Sequence, residues 1–118
     1  MDGDHPVTWL VDAAAAGDEQ AWQEIVHRYT PLLGSVIRSF RLSAQESQDI
    51  AQTVWLRLVE HLSGLREPRA LPMWIITTSR REARRCRAGA PAPAFREPLA
   101  HRAHGLVLGT GSFHESLI

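Results

Sequence analysis

Six residues in one stretch have the types and spacing to grip a polyanion: Trp74, Thr77, Thr78, Arg81, Arg84 and Arg85. At about 100° per residue they fall on one side of a helix over 72–87, and Ile75, Ser79, Ala83 and Cys86 fall on the other. Guanidiniums give planar, bidentate contacts to phosphate, hydroxyls donate to it, and an aromatic ring offers a stacking platform for an unpaired base. A solvated basic helix would show the same arginines. The preceding elements must therefore decide between the two readings.

The charge distribution favours a polyanionic partner. The formal net charge of the 118 residues is zero. Residues 1–63 nevertheless carry nine acidic and four basic side chains, and residues 64–88 carry two acidic and seven basic ones. The positive charge is thus concentrated around the arginine-bearing helix. All thirteen basic residues are arginine, a composition that a GC-rich genome would also produce. A single cysteine, Cys86, excludes an internal disulfide and fits a reducing, cytoplasmic setting. It lies on the apolar side of its helix, as a small buried thiol would. No leader pattern stands at the N-terminus, and no apolar run is long enough to span a bilayer.

The elements that would position these residues read as helices throughout. Residues 1–6 are polar, contain Pro6 and read as a frayed end. Over 7–16, Val7, Leu10, Val11 and Ala14 share one face, and Gly17 ends the helix. Asp18 can cap the next, in which Ala21, Trp22, Ile25, Val26 and Tyr29 form a stripe. Pro31 either opens a new helix capped by Thr30 or kinks a long one. Leu32, Leu33, Val36, Ile37 and Phe40 carry the apolar face onward. Ser43-Ala44-Gln45-Glu46 is a capping box that starts a helix of about 18 residues. Its apolar side holds Ile50, Ala51, Val54, Trp55, Leu58, Val59 and Leu62. Its opposite side, expected to face solvent, holds Asp49, Gln52, Thr53, Leu56 and Glu60. Leu56 is the odd member there: a lone exposed Leu needs no explanation, and flanked by Gln52 and Asp49 it is also what a partner-docking face would show. A loop marked by Gly64 and Pro68 spans 63–71. No alternating pattern supports a strand. Residues 7–88 are therefore expected to form an all-α bundle of four to five helices, and 89–118 a Pro/Gly-rich, mostly disordered tail. Trp9, Trp22 and Trp55 are expected in the core.

Three stretches, in order, resemble region 2 of RNA polymerase sigma factors of the extracytoplasmic-function (ECF) group. Gly17-Asp18-Glu19-Gln20-Ala21-Trp22 with Arg28-Tyr29-x-Pro31 resembles the group's first conserved helix. Asp49-Ile50-Ala51-Gln52-Thr53-Val54-Trp55 resembles its D-x-x-Q-[ET]-[VT]-[FW] signature. Leu65-Arg66 with Trp74-Ile75 and the following arginines resembles its promoter-opening part. The resemblance covers residues 7–88. It implies that Asp49, Gln52, Thr53 and Leu56 dock on the coiled coil of the polymerase β′ subunit. It implies that Leu65, Arg66, Trp74, Thr77, Thr78, Arg81, Arg84 and Arg85 hold the non-template strand of the −10 promoter element, with the 65–71 loop capturing a flipped base. Many members carry Asn where Arg81 stands and an acid near Arg85, so this chain favours phosphate attraction over base reading there. The family's region 4, a helix-turn-helix unit, has no counterpart in residues 89–118, which is the pattern of a region-2-only or truncated sigma factor.

Two other function classes compete. One is an interaction module that occupies polymerase or an anti-sigma factor without opening promoters. The other is an enzyme, for which the sequence offers little. His101, His104 and His114 lack a fourth ligand at metal spacing. Gly109-Thr110-Gly111-Ser112 lacks the Lys-[Ser/Thr] ending of a phosphate loop. No metal, cofactor or catalytic residue is expected.

Overall fold

The computed structural model describes residues 5–91, 93 and 95. Its described residues form helices α1 (Val7–Ala15), α2 (Glu19–Arg38), α3 (Ala44–His61) and α4 (Leu71–Arg87). Among them there is no strand, and the expected all-α bundle is what the chain forms. His101, His104 and His114, the Gly109–Ser112 stretch and most of the expected tail lie outside the described residues, as do residues 1–4.

Each helix begins and ends for a local reason. Gly17, at φ +104°, takes the left-handed turn that closes α1. The Asp18 carboxylate then accepts from the backbone N–H groups of Gln20 and Ala21 at 2.9 and 3.2 Å, capping α2. Of the two outcomes open at Pro31, a single α2 is observed with the proline inside it. Pro31 removes one backbone donor at a cost near 3 kcal/mol. Ile25 and Val26 before it, and Leu33 and Ile37 after it, are all buried on one face, and that burial holds the helix continuous. The Thr30 hydroxyl donates to the Val26 carbonyl at 2.6 Å beside the break.

Helix α3 starts on the expected capping box. Ser43 Oγ accepts from the Glu46 N–H at 3.1 Å, and Glu46 Oε1 accepts from the Ser43 N–H at 3.0 Å. The bond from the Ser43 N–H foremost, with the Ser43 hydroxyl second, holds the Glu46 carboxyl below the usual glutamate range. A lowered folded-state value stabilises the fold above the ordinary glutamate range, and the contribution is lost as pH falls through the lowered value. Ser43→Ala is expected to cost about 1 kcal/mol at neutral pH in a denaturant melt. The wild type should lose stability on acidification, and Glu46→Gln should lose less.

The core is built by the faces that periodicity selects. Trp22 and Trp55 are both fully buried and meet edge to face, with ring centroids 6.4 Å apart and planes at 84°. Leu10, Ile25, Leu33, Ile37, Val54, Leu58, Leu71 and Ile75 close around them. Helix α1 packs on α2, and α4 packs on both α2 and α3. Inside α4, Ser79 is fully buried and its hydroxyl donates to the Ile75 carbonyl at 2.5 Å, so it enters the core with its polar atom satisfied.

Trp9 departs from expectation. It is 47% exposed and stacks on His5 at 4.2 Å between ring centroids. On α1 it stands about 150° from the centre of the Leu10/Val11/Ala14 face, so it cannot reach the core. His5 is tied further by a 3.1 Å contact from Nδ1 to Glu24. The expected loop over 63–71 holds two short 3-10 turns, Leu62–Gly64 and Pro68–Ala70.

Candidate functional site

Helices α3 and α4 run antiparallel, with Glu46 opposite Cys86 and the His61 ring stacked on Trp74. The two candidate faces flank this pair. On one side, Arg57, Glu60 and His61 of α3 and Trp74, Thr78 and Arg81 of α4 line an open groove of about 280 Å³. The His61 and Trp74 rings are nearly parallel, at 9° and 5.5 Å between centroids. Trp74 is half-buried against the core, so its ring is braced. His61 was not singled out by sequence. Its position thirteen residues before Trp74 gives no periodic signal, and only the antiparallel packing brings the rings together.

Thr77, Arg81 and Arg84 project into solvent beside this groove. Thr78 does not: it is 4% exposed and forms part of the groove wall, because α4 turns that edge toward α3. Leu65 is half-buried against the core, and Arg66 beside it is exposed. The structure therefore brings Trp74, Thr77, Arg81 and Arg84 to one accessible surface of α4, with Thr78 beneath them.

Arg85 is placed elsewhere. It lines a second cleft, of about 150 Å³, with Glu46, Asp49, Ile50, Thr53, Glu82 and Cys86. Ala90, Pro91 and Pro93 form the remainder of that wall. Glu82 stands between the two clefts. Its side chain is only 4% exposed, and it accepts from Arg57 Nε at 2.7 Å and faces Arg85 Nε at 3.8 Å. A buried carboxylate of this kind depends on its pair, and the Arg57 contact bridges α3 to α4. Sequence reading missed Glu82 because its partner lies 25 residues away.

The four α3 residues separate into two kinds. Asp49 is exposed and Gln52 half-exposed, with Asp49 Oδ1 accepting from Gln45 Nε2 at 3.0 Å. Thr53 and Leu56, expected to face solvent, are buried at 9% and 5% exposure. Thr53 lines the α3–α4 cleft with Glu82, Arg85 and Cys86. Cys86 completes this cleft: its thiol donates to Glu46 Oε2 at 3.7 Å. Burial, with the Glu46 charge beside it, pushes the thiol above its ordinary value and keeps it in the unreactive form. Among the described residues no cluster of acids, histidines or cysteines could hold a metal ion. No helix among them is long and apolar enough to cross a membrane.

The arrangement offers an acid–amide face on α3 and a cationic, aromatic-bearing face on α4, fixed to one another by a shared core. Among curated proteins and among solved structures, nothing matches the chain. A family model does match it: that of Sigma-70 region 2, over residues 25–89, which take in most of α2 and all of α3 and α4. By that match, which spans more than half of its length, the chain belongs to the sigma-70 region 2 family.

Proposed function

We propose that this chain is an ECF-type sigma factor, a non-enzymatic protein that acts at transcription initiation. Membership of the region 2 family itself points to binding of core RNA polymerase and recognition of the −10 promoter element. In the reading proposed here, Asp49, Gln52, Thr53 and Leu56 of α3 dock on the β′ coiled coil. Leu65, Arg66, Trp74, Thr77, Thr78, Arg81 and Arg84 receive the opened non-template strand. Arg85 contributes charge from the α3 side.

The observation that carries the reading is the pairing of α3 and α4. The signature helix and the arginine helix are packed side by side, yet Asp49/Gln52 and Arg81/Arg84 remain open to separate partners. A polymerase held on the first face would bring the melted strand to the second. Arg–phosphate contacts would supply affinity with strong salt dependence and little base preference. A base stacked on an aromatic ring adds about 1–3 kcal/mol.

The docking assignment is tested by Asp49→Ala with Gln52→Ala in the full chain, measured on immobilised core polymerase. Both side chains are outside the core, so the thermal melt should be unchanged. Affinity should fall at least about tenfold, the equivalent of 1.4 kcal/mol. Unchanged affinity would remove α3 from the interface.

A further inference from the structure

The groove between α3 and α4 holds two residues that the promoter reading leaves without a role, Glu60 and His61. Arg57, Glu60 and His61 stand at i, i+3 and i+4 on α3, and Trp74, Thr78 and Arg81 at i, i+4 and i+7 on α4. Each helix therefore presents one stripe to the same opening of about 280 Å³. Arg57 is already engaged, since its Nε donates to the buried Glu82 at 2.7 Å. Glu60 and Arg81 are not. Both are exposed, and among the described residues neither makes an ion pair or a hydrogen bond, with the other or with any neighbour. A carboxylate and a guanidinium thus line one groove with their hydrogen-bonding atoms open.

Between them the groove is aromatic. The His61 and Trp74 rings lie 9° from parallel with centroids 5.5 Å apart. Parallel rings at that separation are offset rather than eclipsed, so each leaves part of its face uncovered. The core braces Trp74 from α4, and His61 holds the same ring from α3. Trp74 and Arg81 are seven residues apart on α4, about 10 Å at a rise of 1.5 Å per residue. That is the scale of one nucleotide, from its base to a flanking phosphate. A stacking surface, a cation one nucleotide away and a carboxylate beside the rings are the parts of a site for a single unpaired nucleotide.

The carboxylate decides which base enters. An ionised Glu side chain accepts hydrogen bonds and donates none. It pairs with the exocyclic amino group of cytosine, adenine or guanine. Thymine carries no such group and presents carbonyl oxygens, which a carboxylate repels. We infer that Glu60 is a specificity-determining residue for the opened strand, selecting at one position a base that carries an exocyclic amino group, and that His61 is a positioning residue that holds the Trp74 platform for it. Both roles rest on the DNA contacts proposed for Trp74 and Arg81. They extend that surface onto α3 and add a base preference where phosphate attraction alone gives none.

The test uses the full chain with core polymerase and −10 fork-junction DNAs. Each position of the single strand carries in turn cytosine or uracil, adenine or purine, and guanine or hypoxanthine. Within each pair the first base has the exocyclic amino group and the second lacks it. At one position the wild type should retain the amino-bearing member about tenfold better, the equivalent of 1.4 kcal/mol. Glu60→Gln should bring that ratio close to unity, since an amide donates as well as accepts. His61→Ala should weaken retention of both members severalfold, and His61→Phe, which keeps the stack, should restore it. A wild type with no amino preference at any position would overturn the role of Glu60. So would a Glu60→Gln variant that holds every DNA more tightly with the ratio intact, because Glu60 would then be a repulsive surface charge only. Wild-type retention by His61→Ala, or a loss that His61→Phe does not restore, would overturn the positioning role. In each case a loss of retention from Arg81→Ala/Arg84→Ala leaves the promoter reading standing. If that pair retains DNA as the wild type does, the promoter reading fails and the base preference fails with it.

Discussion

Trp55→Ala is expected to destabilise the bundle by about 3–5 kcal/mol, measured as a shift of the denaturant midpoint at constant slope. Trp55 is fully buried, and its ring meets Trp22 edge to face at the centre of the core. Its removal would cost the transfer energy of the largest side chain on α3 and leave a cavity between α2 and α3. A domain of this size has only about 5–15 kcal/mol in total, so a large share of the population would unfold on modest heating. Trp55→Phe isolates the apolar part. Among the described residues the indole Nε1 has no hydrogen-bond partner, so Phe gives up volume without giving up a bond. The Phe variant should therefore retain most of the stability that Ala loses. Equal losses for the two would mean that the ring is held by something other than packing.

The second large effect is on DNA. Arg81→Ala with Arg84→Ala should weaken retention of a −10 fork-junction DNA by the polymerase–protein complex. It should also make the dependence of log affinity on log salt shallower by about 1.4, because each phosphate contact with a single strand contributes about 0.7. Both side chains are exposed on α4, so their loss leaves the core intact. Lost affinity with an unchanged salt slope would point to a packing role. Arg85→Ala serves as the contrast. Its guanidinium faces Glu82 at 3.8 Å in the α3-side cleft, and its removal should change the salt slope less.

Most of the fold can be read in the sequence because its signals are local. Gly17-Asp18 and Ser43-x-x-Glu46 mark two helix starts, and the observed caps use those side chains. The apolar stripes of α2, α3 and α4 select the faces that become the core. What local signals do not carry is the covering of a face by distant chain. The wheel puts Leu56 and Thr53 on the solvent side of α3, yet both are buried, and the cleft that Thr53 shares with Glu82, Arg85 and Cys86 exists only because α4 packs beside it. Thr78 falls at the edge between core and solvent, and only the approach of α3 decides that it is buried. Trp9 shows the opposite error: residue type suggested core, although its angle on α1 places it outside. Glu82, Arg57 and the His61–Trp74 stack arise from the pairing of two helices, which no single helix encodes.

The candidate site divides in the same way. The faces bearing Asp49/Gln52 and Arg81/Arg84 follow from spacing, and both are accessible. The separation of Arg85 from Arg81 does not follow from spacing. The two lie four residues apart on one flank of α4, and the Glu82–Arg57 bridge divides that flank into two clefts.

The most direct test is a titration of the full chain into core polymerase and a fork-junction DNA carrying a −10-like single strand. The expected result is that polymerase retains the DNA only when the protein is present, with Asp49→Ala/Gln52→Ala weakening binding to the polymerase and Arg81→Ala/Arg84→Ala weakening retention of the DNA. If the protein binds polymerase but DNA retention is the same with and without it, promoter engagement is contradicted and the chain is an interaction module alone.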